Sequence, residues 1–405
     1  MKVGIYQEPR GPTIGGGEYL LAVLARTVRD AGHAVDVVHH DPHLSVERVA
    51  EYFRLDLTGV ADRLLPPAGR WDAPDAPAWR RAAAMRGWAK DASAPYDLFV
   101  CVTHTPPPFC HARAGVLYVL FPLYDRHAQW PWTDRPPGPG LGAVKAWARR
   151  RVYERLWAER VGSYAATAAI SEFSRRWTAR LWGGDPAVVY PPVDVDAGTG
   201  TGPKEDRVLV LGRFTPHKHQ LDLVRAFGRH RGRLGGWNLA CVGGVADTPA
   251  ARDYFAAVGR DAGGGVELVA NAPRPRVAAE LARARVFWHA MGIGVDEEAE
   301  PGAIEHFGIA TVEAMAAGCV PVVVNGGGQP EIVTHGETGF LCGSFDEFAD
   351  RTAELAADPA RAGRMAAAAR DHAAAFSCDV FARRVMGVLA PFLGPPAARP
   401  TQPPT

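Results

Sequence analysis

Short, largely apolar runs recur along the chain at Val3 to Tyr6, Val35 to Val38, Leu98 to Val102 and Val116 to Leu120. Between them lie helical patterns punctuated by Gly and Pro, the alternation expected of a parallel sheet covered by helices. The pattern restarts after a Gly/Thr stretch, Gly198 to Gly202, with runs at Val208 to Leu211, Leu239 to Val242, Val266 to Val269, Val286 to His289 and Val320 to Val324. Each half opens with a strand, a loop rich in glycine or basic residues, and a helix. The pattern predicts two Rossmann-like α/β domains facing one cleft, with ligands outside the carboxyl ends of the strands. The domains are expected over 1–196 and 203–377, with a helix over 378–394 returning to the first. Residues 41–95, rich in Arg, Trp and Pro, read as helical elaboration of the first domain, Trp130 to Gly142 as a long exposed loop, and 395–405 as a disordered Pro-rich tail.

With 405 residues, 47% hydrophobic and 22% charged, the chain has apolar material for two cores. Lys and Arg number 45 against 44 Asp and Glu, a formal charge of +1, so no net field favours nucleic acid or an anionic membrane. Any phosphate binding falls to a few placed cations. The six cysteines form no CxxC pair and no zinc-like cluster; Cys101, Cys241 and Cys319 lie in apolar runs and suit a reducing cytoplasm. The N-terminus reads as a strand rather than a signal peptide, and no run approaches the roughly 20 apolar residues of a membrane span.

The densest candidate chemistry lies in Glu305-His-Phe-Gly-Ile-Ala-Thr-Val-Glu313-Ala-Met-Ala-Ala-Gly318. The spacing predicts a helix from near Gly308 to Gly318, a residue suited to the left-handed position after a helix end. Glu305 then precedes the helix while Glu313 lies one to two turns in, so one can face a sugar and the other ribose hydroxyls. The free amides around His306, Phe307, Gly308 and Ile309 can hold oxygen-rich or anionic groups. A capped surface helix with incidental acids is the plainer alternative. Gly15, Gly16 and Gly17 would let backbone approach a ligand, or form an ordinary turn; they make no GxGxxG fingerprint, since position 20 is Leu.

Taken together, several stretches carry a resemblance: Gly15 to Glu18, Ile170-Ser-Glu-Phe-Ser174, Val189-Tyr-Pro-Pro-Val-Asp194, Gly212-Arg-Phe-Thr-Pro-His-Lys218, the Glu305 to Glu313 motif, Gly326-Gly-Gly-Gln-Pro-Glu331 and Gly336-Glu-Thr-Gly-Phe340. Over nearly its whole length the chain resembles the GT-B fold retaining glycosyltransferases of the family 4 type. Gly-Gly-Gly-Glu, Arg180-Leu-Trp-Gly183 and the Glu305 motif are particularly similar to the α-1,2-mannosyltransferases that extend lipid-linked oligosaccharides with GDP-mannose. The resemblance implies a nucleoside-diphosphate sugar as donor substrate, no cofactor and no metal, and a hydroxyl acceptor such as a glycan, a lipid-linked sugar or a natural product. It makes Arg213 and Lys218 the diphosphate clamp, Glu305 the acid beside the donor sugar, and Glu313 the ribose-binding acid. Cations placed there would stabilise charge developing on the leaving diphosphate.

One departure stands out. Where the resemblance leads one to expect the His that family members often carry in the first domain, Val119-Leu120-Phe121-Pro122 places Leu120; His104, Asp125 and His127 are candidates for its role, and a non-catalytic nucleotide-sugar-binding protein becomes an alternative. A nucleotide-sugar 2-epimerase on the same scaffold is another. Asp194-Val-Asp196 and the run Asp296 to Glu300 read as solvated surface rather than a metal site. Lys145 to Arg160 carries five arginines with Trp147, Tyr153 and Trp157. Packing with a solvated basic face is favoured there over contact with an anionic membrane.

Overall fold

The computed structural model describes residues 1–7, 14–66, 78–123, 144, 147, 151, 155–196 and 203–394, and side chains within these except 78–85. Asp125, His127, the Trp130 to Gly142 stretch, the Gly198 to Gly202 stretch, the 395–405 tail and much of Lys145 to Arg160 lie outside the described residues. The chain divides into two compact units, Met1–Val189 with the chain from Ala382 onward, and Tyr190–Phe381.

The first unit contains β1 (Lys2–Gln7), α1 (Gly16–Asp30), β2 (Ala34–His39), α2 (Val46–Phe53), β3 (Val60–Leu64), α3 (Ala78–Ser93), β4 (Leu98–Thr103), β5 (Ala114–Val119), β6 (Ala166–Ala169), α4 (Glu172–Leu181) and β7 (Ala187–Val188). Its sheet runs β3-β2-β1-β4-β5-β6-β7 with every pair parallel. Central β4, Leu-Phe-Val-Cys-Val-Thr, is buried at all six positions, as a strand covered on both faces requires. The Arg- and Trp-rich stretch 41–95 is not wholly helical. It supplies edge strand β3, whose Asp62 and Arg63 are tolerated because its residues are largely exposed or half-buried. At the other end of the chain, Arg113 Nη2 donates to the Phe392 carbonyl at 3.3 Å, tying the final turn to the first unit.

The second unit runs β8 (Glu205–Leu211), α5 (Gln220–Arg229), β9 (Asn238–Gly243), α6 (Pro249–Asp261), β10 (Val266–Ala270), α7 (Arg274–Arg283), β11 (Ala284–His289), α8 (Ile309–Ala316), β12 (Val320–Val324), α9 (Gln329–Ile332), β13 (Phe340–Cys342), α10 (Phe345–Ala357) and α11 (Pro359–Ala373). The helix Cys378–Leu389, here α12, is shared by the division, and a 3₁₀ turn Ala390–Phe392 follows it. Its parallel sheet has the order β10-β9-β8-β11-β12-β13. Val208, Val210, Val286, Trp288, Val322 and Phe348 form one buried core. Trp288 buries its ring there while its Nε1 donates to Thr352 Oγ1 at 2.9 Å, which removes the cost of an unsatisfied donor. Residues 190–196 pack with this unit: Val193 N donates to the Phe376 carbonyl at 2.9 Å and Tyr190 stacks on Phe307 at 5.6 Å between ring centroids. In both sheets the strand order reverses beside the first strand, between β1 and β4 and between β8 and β11. Such a reversal leaves a crevice at the strands' carboxyl ends.

Candidate functional site

In the second unit, the loops leaving β8 and β11 converge at that reversal. After β8 the chain passes Gly212 and turns through the 3₁₀ segment Pro216–Lys218 into α5, with His219 left-handed at φ 56°. The neighbouring strand end comes so close that a Cβ on Gly243 would lie 1.8 Å from the Gly212 carbonyl oxygen, so only glycine fits there. Gln220, fully buried, donates from Nε2 to the Arg213 carbonyl at 2.8 Å and fixes the loop's shape. Arg213 is exposed, and among the described residues its guanidinium has no ion-pair partner. Lys218 points back across the strand ends.

The second wall is the loop entering α8. Gly328 N donates to the Glu305 carbonyl at 2.9 Å, and Gly327, at φ 60°, approaches so closely that a Cβ would lie 2.1 Å from the same oxygen. Phe307 anchors the loop from below, 2% exposed against Tyr190 and Phe376. Gly308, at φ 120°, then starts α8, leaving the first amides of the helix without intrahelical acceptors. The helix ends where the spacing predicts. Gly318 is left-handed at φ 78°, its N–H reaches the Met315 carbonyl and the Cys319 N–H reaches Ala314, the reciprocal pair of a Schellman end.

These walls bring Lys218 and Glu305 together at 2.6 Å, Nζ to Oε2. His289, the last residue of β11 and 5% exposed, sets its Nε2 3.0 Å from the same carboxylate oxygen and 3.2 Å from Lys218 Nζ. Gln329, fully buried at the start of α9, lies 3.3 Å from the other ring nitrogen, His289 Nδ1. Burial would raise the Glu305 carboxyl, but the Lys218 ammonium and the His289 hydrogen bond outweigh it and hold the group well below the usual carboxylate range. Burial, followed by the Lys218 charge, pushes His289 below its ordinary value. Burial likewise drives His306 down to about 4, although Glu305 opposes it. Glu313 sits just over one turn into α8, 8% exposed, with its carboxylate 2.5 Å from Arg274 Nη2.

Gly15, Gly16 and Gly17 lie in the first unit, at the start of α1 after β1. The Glu18 carboxylate accepts from the Gly15 N–H at 2.8 Å and from Gln7 Nε2 at 3.1 Å, linking the end of β1 to the start of α1. Leu120 is 5% exposed with its carbonyl accepting from Ser174 Oγ, so its side chain is taken up by packing; His104 lies half-buried past the end of β4. Asp196 N donates to Asp194 Oδ1 at 3.3 Å in a local turn. Among the described residues no group of three or more His, Cys, Asp or Glu side chains is gathered as metal ligands would be.

A model described as Glycosyltransferase Family 4 matches residues 14–197, and one described as Glycosyl transferases group 1 matches 196–372. The chain belongs to this glycosyltransferase family. Consistent with that, Anabaena HepE, crystallised with UDP and glucose, aligns over 96% of the chain and 100% of its own at a TM-score of 0.67 and 17% identity. Sucrose-phosphate synthase from Thermosynechococcus elongatus aligns over 96% and 98% at 0.66 and 16% identity. At such identities these show the GT-B fold alone. Among curated relatives, a Dictyostelium discoideum GDP-Man:Man(3)GlcNAc(2)-PP-Dol alpha-1,2-mannosyltransferase is 31% identical over 58% of this chain and 48% of its own length. A Mycobacterium tuberculosis GDP-mannose-dependent alpha-(1-6)-phosphatidylinositol monomannoside mannosyltransferase is 36% identical over 40% and 42%. The matches thus span about half the length of these relatives.

The sequence alone does not single out His289, Gln329 or Arg274. His289 closes the apolar run Val286–Trp288 of β11, and its signal is position: a polar residue at the carboxyl end of a strand flanking the reversal. Arg274 follows Pro273 at the start of α7, where only the fold brings it to Glu313.

Proposed function

We propose that the chain moves a sugar from a nucleoside-diphosphate sugar, GDP-mannose or a UDP-sugar, to a hydroxyl acceptor with retention of configuration and without a metal ion. The carrying observation is the Lys218–Glu305 pair at the β8/β11 reversal with Arg213 on the same loop, its guanidinium without an ion-pair partner among the described residues. Breaking the sugar–phosphate bond moves negative charge onto the diphosphate, and Arg213, Lys218 and the first amides of α8 would be the donors that meet it. Glu305, held ionised, would orient sugar hydroxyls or face the positive charge developing at the anomeric carbon. Glu313 would reach ribose, with Arg274 setting its carboxylate. In this reading the donor lies on residues 203–377 and the acceptor mainly on 1–196, near Gly15 to Gly17. With the Leu120 position filled by packing, the departing phosphate oxygen itself takes the acceptor proton on the face of attack.

A cytoplasmic place of action belongs to the same proposal, supported by six free cysteines, four of them buried. Among the described residues no helix is long and apolar enough to cross a membrane. The test is a thermal-shift screen of GDP-mannose and UDP-sugars followed by mass spectrometry of products from cell extracts. Transfer needs an acceptor, a 2-epimerase consumes donor without one, and a binding protein leaves the donor intact.

A further inference from the structure

Glu305 meets Lys218 and His289 on one oxygen, Oε2, and among the described residues no hydrogen bond reaches Oε1. If the proposed function is right, one of those donors is borrowed. An ammonium drawn towards a donor diphosphate divides its three N–H donors and loosens its 2.6 Å hold on Glu305, so a second holder keeps the carboxylate in place. His289 is placed for that, but only in one protonation form. Its Nε2 lies 3.0 Å from Glu305 Oε2 and 3.2 Å from Lys218 Nζ; once the ammonium turns to the diphosphate, the carboxylate is the neighbour that remains, and beside it a bare nitrogen lone pair is repelled and an N–H attracted. With the ring neutral, Nδ1 must then be an acceptor, and Gln329 Nε2, 3.3 Å away, supplies the donor. The opposite amide orientation would put the Gln329 oxygen there, call for a proton on Nδ1, and leave Nε2 bare against Glu305.

Gln329 is in turn held. It is fully buried at the start of α9, and a Cβ on Gly308 would come within 2.7 Å of its Nε2. The glycine that begins α8 thereby admits the amide that orients His289. We propose that His289 is a positioning residue: Gln329 keeps its proton on Nε2, and that N–H holds the Glu305 carboxylate when Lys218 turns to the donor diphosphate. This rests on the transferase reading for its catalytic meaning, whereas the chain Gln329 to His289 to Glu305 stands without it.

The experiment has two arms. In ¹⁵N-histidine-labelled full chain, with the His289 signals assigned by their loss in His289→Gln, nitrogen NMR should show Nε2 protonated and Nδ1 as acceptor at neutral pH; Gln329→Leu should erase that preference. The reverse tautomer in the wild type would overturn the proposal without any substrate. In single-turnover kinetics, His289→Leu should slow transfer roughly ten- to hundredfold, the scale of a misplaced reacting group, with donor affinity within about threefold. Its acid limb should move to higher pH, because Glu305 loses a donor that favours its ionised form. His289→Gln, which keeps a neutral N–H near the Nε2 position, should recover most of the rate. An unchanged rate and acid limb in His289→Leu would refute the positioning role, and Gln329→Leu supplies the same comparison should that variant not fold. Absence of transfer in every protein, with the Nε2–H tautomer intact, would reject the transferase reading and leave the hydrogen-bond chain standing.

Discussion

Lys218 and Glu305 are each other's main counter-charge, so removing either exposes the other. Lys218→Ala and Arg213→Ala should each lower turnover about a hundredfold, the scale of a lost transition-state charge stabiliser. Only Lys218→Ala should also raise the Glu305 pKa, since Arg213 makes no contact with that carboxylate; the acid limb of its pH–rate profile should shift up while that of Arg213→Ala stays. Equal limbs in the two variants would contradict the arrangement. His306 offers a test on stability. Its pKa falls from 6.5 in the unfolded chain to about 4 when buried, so the unfolded state binds the extra proton between those values. The stability that neutral His306 preserves is complete above about pH 6.5 and declines as pH falls towards 4, by on the order of 3 kcal/mol. Urea unfolding of wild type and His306→Gln across that window should show the wild type losing more; parallel curves would mean that His306 is not buried neutral.

At the scale of elements, the glycine turn after β12 controls the loop that carries Glu305. Gly327→Ala should cost about 2 kcal/mol or more, because a left-handed residue gains a Cβ and that Cβ meets the Glu305 carbonyl, a backbone atom. Turnover should fall with it. Gly336→Ala is the control: φ is 80° but nothing lies within 4 Å of the added carbon, so about 1 kcal/mol is lost and turnover stays. Equal effects on turnover would show that the turn does not position Glu305. The same elements show what a sequence discloses. Helix α8 is legible because Gly308 and Gly318 mark both its ends, and central strands such as β4 because burial on both faces gives them a continuous apolar run. Strand β3 is hidden because an edge tolerates Asp62 and Arg63, and β6, Ala-Thr-Ala-Ala, because alanine has little strand preference of its own and forms one by pairing with β5. Lys218 and Glu305 are legible as motif residues, but their contact spans 87 positions and His289 looks like the last residue of a core strand. Only the fold joins them.

For the whole molecule, two sheets share the same reversal of strand order and the family models match across 14–372; in the proposed reaction side chains meet the donor charge. Activity should therefore persist in excess EDTA; complete loss restored by manganese or magnesium would place a metal where Arg213 and Lys218 are assigned. The central claim is that a nucleotide-sugar donor reacts beside Glu305 with retention. Proton NMR of a single turnover, using the α-linked nucleotide sugar that the screen identifies, reads the rate and the anomer at once for wild type and Glu305→Gln. The wild type should form an α-linked product, and Glu305→Gln, which keeps size but loses charge, should form it far more slowly while binding donor nearly as well. A β-linked product, or an unchanged rate in Glu305→Gln, would contradict the account.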